Sequence, residues 1–172
     1  MDIGGLLGKT IINISLRILV FGPQVKVLSE DERTRNLQLK RIQIRNELED
    51  LGHHVRYAED LVDPDLPGAT SNVFLQEIVI MNEYDLIVTL VDSPGTNAEA
   101  TAIALKPNLA QKASLFVDFD HREGLVAQAC SLAQQLGADY RNYHYPEDLV
   151  ECNLLGFVKE KIQNVQLVKY LS

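Results

Sequence analysis

Only two cysteines, Cys130 and Cys152, occur among the 172 residues. Neither stands in a CxxC pair or at ligand spacing from a histidine, so the sequence offers no disulfide framework and no zinc site. Both are expected as reduced, half-buried thiols. Positive charge is also scarce, with 16 lysines and arginines against 24 acidic residues and a net charge of −8. That field repels phosphate backbones and anionic lipid surfaces, which excludes nucleic acid as the main partner. Any anionic ligand needs a local pocket that overrides the global sign. No apolar run approaches the roughly 18 to 20 residues of a bilayer span, and the first residues lack the basic start and cleavage site of a signal peptide. The expectation is a cytoplasmic protein with no membrane partner. His53, His54, His121 and His144 form no compact metal motif, so neither a metal nor a cofactor is expected.

What the sequence does contain is ordinary globular material, 46% hydrophobic and 23% charged, enough for one domain with a real core. Residues 1–15 read as an N-terminal extension and 16–172 as a single domain. The extension carries Gly4-Gly5-Leu6-Leu7-Gly8-Lys9-Thr10. This near-match to a phosphate-binding loop fails on spacing, on the missing strand before it and on the strand-like residues after it.

From Leu16 the pattern becomes regular. Leu16 to Phe21 is a short continuous apolar run that suits a strand covered on both faces, ended by Gly22-Pro23. Ser29 and Glu32 form a capping-box signature, and Leu37, Ile44, Leu48 and Leu51 recur at helical spacing until Gly52. His54 to Ala58 predicts a second strand, Asp60 to Gly68 a loop, and Thr70 to Glu83 a helix with Val73, Phe74, Ile78 and Met81 at helical intervals. Asp85 to Val91 is the clearest buried strand, and an alanine-rich helix follows from Thr96 to Leu105. Ser114 to Val117, Glu123 to Leu136 and Asp139 to Tyr145 then predict strand, helix and weaker strand, before a last helix opened by Pro146. The alternation predicts a three-layer α/β fold, a five-stranded, mostly parallel sheet with helices on both faces, of flavodoxin- or Rossmann-like type. Ligands bind such sheets at the carboxyl ends of the strands. That places Gly22-Pro23, Asp60 to Gly68, Asp92 to Gly95 and Asp118 to His121 around one mouth.

The segment Asp92-Ser93-Pro94-Gly95-Thr96-Asn97-Ala98-Glu99 carries most of the chemical information. A glycine after a buried strand lets a ligand approach the backbone, free amides at a helix start attract anionic or polar groups, and Glu99 falls near the mouth. The same spacing satisfies a capping box with Thr96 as N-cap and Glu99 reaching back to its amide. The residues alone leave both roles open.

The chain resembles the nucleoside 2-deoxyribosyltransferase-like superfamily. The resemblance lies in Ile18-Leu19-Val20-Phe21-Gly22-Pro23, in Leu48 to Val55, in the Asp-led strand Asp85 to Val91, and in Gly95-Thr96-Asn97-Ala98-Glu99. It spans roughly 16–117, and the same fold neighbourhood holds TIR-type NAD-cleaving domains and nucleotide-binding sensors. The resemblance implies an N-glycosidic bond-cleaving enzyme acting on a nucleoside, nucleotide or NAD-like molecule, with Glu99 as its carboxylate nucleophile. A carboxylate there stabilises an oxocarbenium-like transition state. Glu77 stands where the family often carries an acidic residue against the leaving base, although a solvent-facing helix glutamate is the plainer reading. Asp92 either holds a ribose hydroxyl, orients Glu99 or caps its loop. Gly22, Pro23, Gly95, Thr96 and Asn97 are the implied substrate-binding positions. Lys26 and Arg122 either meet a phosphate or sit in solvent. The family's habit of completing the pocket with a neighbouring subunit implies a homo-oligomer. The alternative is a nucleotide-binding sensor or scaffold without turnover, suited to the leader and the long last helix.

Overall fold

The computed structural model describes residues 13–150 and 153–172. The glycine-rich leader segment Gly4 to Thr10 and Cys152 lie outside the described residues. The elements are β1 (Arg17–Phe21), α1 (Glu32–Asp50), β2 (His54–Tyr57), α2 (Val73–Glu83), β3 (Leu86–Val91) and α3 (Pro94–Ala104). They continue with α4 (Pro107–Ala110), β4 (Ala113–Asp118), α5 (Leu125–Gln135), β5 (Asp139–Tyr143), α6 (Glu147–Val150) and α7 (Asn153–Leu171).

The five strands form one sheet in the order β2-β1-β3-β4-β5, every neighbouring pair parallel. The expected α/β architecture is present, with a wholly parallel sheet. β3 and β4 are buried at every position, whereas the outer strands β2 and β5 are buried only in part. The difference follows from position, because a central parallel strand is covered on both faces and an edge strand is not. Alternate residues of β3 feed two cores. Leu86, Val88 and Leu90 pack with Leu37, Ile44 and Leu48 of α1 and with Leu154, Val158 and Ile162 of α7. Ile87 and Val91 pack with Met81 of α2, Ala100 and Ile103 of α3, Leu109 of α4 and Cys130 of α5. Small residues in α3 and α5 let these helices pack against each other.

Several boundaries differ from the sequence expectations for local reasons. α1 begins after Asp31, whose carboxylate accepts from Thr34 N at 2.8 Å, while Ser29 Oγ accepts from Asp31 N at 3.1 Å. An aspartate adds charge to a helix start that a serine lacks, so Asp31 is the cap in place of Ser29. Leu51, expected on the apolar face, is the C-cap and 55% exposed. α2 starts at Val73 because Asn72 caps it through Leu75 N, and Gly68–Ser71 forms a separate 3-10 turn. Only Met81 of its predicted apolar set is fully buried; Val73 and Phe74 are exposed. The expected last helix is described as α6 and α7, with residues 151 and 152 outside the described residues. Cys130 is fully buried, not half-buried. Asp85, at the head of β3, accepts from Arg17 N at 2.7 Å and Lys169 Nζ at 2.9 Å, which ties β1 and α7 to the sheet's amino end. Among the described residues, no helix is long and apolar enough to cross a membrane.

Candidate functional site

The chain leaves β1 for β2 on one side and later returns to β3 on the other. The carboxyl ends of β1 and β3 therefore flank the switch point at which such sheets hold ligands. Gly22 and Pro23 follow β1, and Glu59 follows β2. Arg41 reaches this point from α1 with no exposed surface. Its Nη1 donates to Gly22 O (3.1 Å), Pro23 O (3.0 Å) and Glu59 Oε1 (2.7 Å). Its Nη2 donates to Val20 O and Glu59 Oε2, both at 2.6 Å. The guanidinium lies over the Tyr57 ring, 4.4 Å from the centroid. A Cβ on Gly22 would stand 3.1 Å from Arg41 Cδ, so the glycine is what lets the arginine lie against the strand end.

Glu99 approaches the same point from α3. The helix starts at Pro94 with Ser93 as N-cap, and Ser93 and Thr96 form the capping box. Thr96 N donates to Ser93 Oγ, and Ser93 N and Asp92 N donate to Thr96 Oγ1 at 2.9 and 3.0 Å. The expected cap, Thr96 with Glu99, is thus replaced by one a turn earlier, because proline fits the first helical position and makes the serine before it the cap. Thr96, 2% exposed, serves the helix. Two of the amides expected to await an anion are used inside the turn: Thr96 N by Ser93 Oγ, and Asn97 N by Ser93 O.

Freed from the cap, Glu99 is only 7% exposed, and its Oε2 is buried without a hydrogen-bond partner. Gly95 lies one turn back. A Cβ there would come within 4.0 Å of Glu99 Oε1, so the glycine leaves that side of the carboxyl uncovered. Burial pushes the Glu99 carboxyl up to about 8, the Glu77 charge adds to the rise, Arg41 opposes it and Glu59 adds again. Glu77 itself is half-buried rather than solvent-facing, and burial followed by the Glu59 charge raises it. Glu59, Glu77, Glu99 and the Arg41 guanidinium therefore share the switch point.

Asp92 and Asn97 belong to a different group, between the ends of β3 and β4. Arg33 of α1 donates to Asp92 Oδ1 from Nε (3.2 Å) and Nη2 (2.7 Å), and its Nη2 lies 2.8 Å from Asp118 Oδ2. The guanidinium also lies 4.8 Å from the Tyr145 ring centroid. Beside this bridge, a recess of about 280 Å³ is lined by Val91, Asp92, Asn97, Val117, His121, Glu123 and Val126. Glu99 is not part of that lining. The predicted residues thus divide: Gly22, Pro23, Gly95, Glu77 and Glu99 gather at the β1–β3 switch point, while Asp92 and Asn97 face the β4 side.

Arg41, Glu59 and Arg33 are the participants that the motifs did not single out, whereas Asp118 is among the residues expected at the mouth. Arg41 had a signal, since it falls between Leu37 and Ile44 on the helical stripe that Leu48 continues. A charge at a core-facing position demands a partner. Arg122 donates to Phe119 O and covers that ring at 3.7 Å, and Lys26 is exposed. No group of histidine, cysteine and carboxylate among the described residues is gathered closely enough to hold a metal ion. The chain matches no protein-family model, and no curated protein matches it significantly.

Proposed function

We propose that the chain is a nucleoside 2-deoxyribosyltransferase-like enzyme that cleaves the N-glycosidic bond of a nucleoside, nucleotide or NAD-like substrate, with Glu99 as the group that meets the anomeric carbon. The observation that carries this reading is the Glu99 carboxyl, buried at the switch point with one oxygen unpartnered and no duty in its helix cap. A buried, unsatisfied acceptor is costly unless something completes it. A sugar carbon turning positive does so.

In the reaction, the C1′–N bond breaks and its electron pair leaves with the base. An ionised Glu99 oxygen bonds to C1′ or holds the oxocarbenium ion until water or a second base attacks. Glu77 lies close enough for its charge to raise Glu99 and has its own proton affinity raised. That equips it to meet the leaving base with a proton. Arg41 and Glu59 fix the wall behind them. Homo-oligomerisation belongs to the same proposal, and α2 turns Val73, Phe74, Leu75 and Val79 outward from the helix that carries Glu77. A cytoplasmic location is proposed with it.

Glu99→Gln tests the assignment, since it removes the nucleophile and leaves the Ser93–Thr96 cap in place. Free base is followed by chromatography across a panel of nucleosides, nucleotides and NAD, with thermal melting as the control for folding. Lost release at undiminished stability is the expected result; unchanged turnover rejects the role. The second reading, a sensor or scaffold without turnover, draws on the recess beside Asp92 and Asn97 that excludes Glu99. Binding of a panel member without base release would select it.

A further inference from the structure

The charges around the switch point narrow the ligand. Glu99 is raised by the Glu77 and Glu59 charges and Glu77 by that of Glu59, and the guanidinium beside them is already committed: both terminal nitrogens of Arg41 are taken by Glu59 and backbone carbonyls. Its Nε is buried beneath Gly22, 3.6 Å from where a Cβ on that glycine would stand. Toward β4, Arg33 is shared by Asp92 and Asp118. The recess beside them adds Glu123 and His121. Arg122 is turned onto its own loop. At the start of α3, the natural cradle for a phosphate, Thr96 N is taken by Ser93 Oγ and Asn97 N by Ser93 O. Of the described carboxyls at the switch point, Glu59 is paired with Arg41, whereas Glu77 and Glu99 stand in no ion pair among the described residues, on a chain whose net charge is already −8. The described carboxyls are also not grouped to hold a metal ion, and Glu99 Oε2 is buried without a hydrogen-bond partner.

We infer that this site takes an N-glycoside with a positively charged base and no phosphate on its sugar, a pyridinium-type nucleoside in preference to a nucleotide or dinucleotide. This inference rests on the glycosidase reading of Glu99. A cationic ring supplies a charge opposite to these carboxyls, whereas a sugar phosphate adds a like charge beside them where Arg41 and Arg33 are already paired. The chemistry also simplifies. When the C1′–N bond of a pyridinium nucleoside breaks, the electron pair stays on the ring nitrogen, and the ring departs as a neutral pyridine without needing a proton. Glu99 takes up the electron-deficient C1′, water then bonds to C1′ as the glutamate leaves, and one proton is released. No acid beyond the site is needed for departure.

Calorimetric titration of the full chain compares three probes: nicotinamide riboside, its 5′-phosphate, and the dihydronicotinamide riboside, which has the same shape without the ring charge. The cationic nucleoside should bind at least tenfold more tightly than either, and Glu77→Gln should shrink its advantage over the dihydro form severalfold. Equal or tighter binding of the 5′-phosphate, equal binding of the dihydro form, or no binding of the cation overturns the inference. Nicotinamide release is read in parallel. Preference without release leaves the ligand class standing and removes the enzyme. Release from the 5′-phosphate or NAD alone keeps the enzyme and removes the ligand class.

Discussion

Arg41 and Glu59 form a two-pronged ion pair, 2.7 and 2.6 Å, with the arginine wholly enclosed and the glutamate side chain 24% exposed. The pair joins α1 to the turn after β2 and fixes the floor on which Glu99 is set. Removing one partner of a buried pair strands the other, at a cost of about 3 to 5 kcal/mol. Arg41→Met is therefore expected to lose roughly that much stability in urea unfolding. The double change Arg41→Met with Glu59→Gln should be less damaging than Arg41→Met alone, because no stranded carboxylate remains. A double variant whose loss is the plain sum of the two singles would show that the pair is not coupled.

Glu99 gives stability a pH dependence of unusual sign for a glutamate. Its carboxyl titrates at about 8 in the folded protein against 4.5 as the reference. Between these values the folded chain keeps a proton that the unfolded chain has lost. The contribution is full below pH 4.5, falls as pH rises through that window at up to about 1.4 kcal/mol per unit, and is gone above pH 8. Glu99→Gln abolishes this term. Urea unfolding at pH 5, 6, 7 and 8 should show the variant gaining on the parent by a few kcal/mol across the series. A constant difference would mean that Glu99 titrates normally. In kcat/KM, base release by an ionised Glu99 should rise with pH toward about 8.

Much of the fold was legible because its central strands are covered on both faces and therefore read as unbroken apolar runs, as in Leu86–Val91. The edge strand β5 read weakly for the same reason, since most of its positions are not fully buried. Helical periodicity identified α2 but not its orientation: Val73 and Phe74 keep the spacing yet face outward. At the site, the cap was misplaced although Ser93-Pro94 announces it, because Thr96 and Glu99 satisfy a second cap rule at the same spacing. Glu59 and Arg33 were hidden because their partners lie on other elements, 18 residues away for Glu59 and 59 for Arg33. Local pattern carries no record of such pairings.

Gly95→Ala separates folding from function. The added methyl would stand 3.8 Å from Ser93 Oγ and 4.0 Å from Glu99 Oε1, ordinary contact distances, in a backbone conformation open to alanine. Within a helix, alanine is favoured over glycine by about 0.8 to 1.0 kcal/mol, so the melting temperature should rise or hold. The same methyl covers the uncovered side of the carboxyl, and base release should fall at least tenfold. A stable variant with full activity would place the reacting atom elsewhere than in front of Glu99.

Arg33 provides the last test, because it stands between two carboxylates of unequal burial. Asp118 is 1% exposed and Asp92 is partly covered, and Arg33 Nη2 reaches them at 2.8 and 2.7 Å. Arg33→Met removes the shared cation and leaves like charges facing each other at the ends of adjacent strands. The expected loss is about 3 kcal/mol at pH 7. Asp92→Asn placed on Arg33→Met should restore part of the stability at neutral pH, since it removes one of the opposed charges without changing side-chain size. A loss unrelieved by Asp92→Asn would assign Arg33 a packing role against Tyr145, whose ring centroid lies 4.8 Å from the guanidinium carbon.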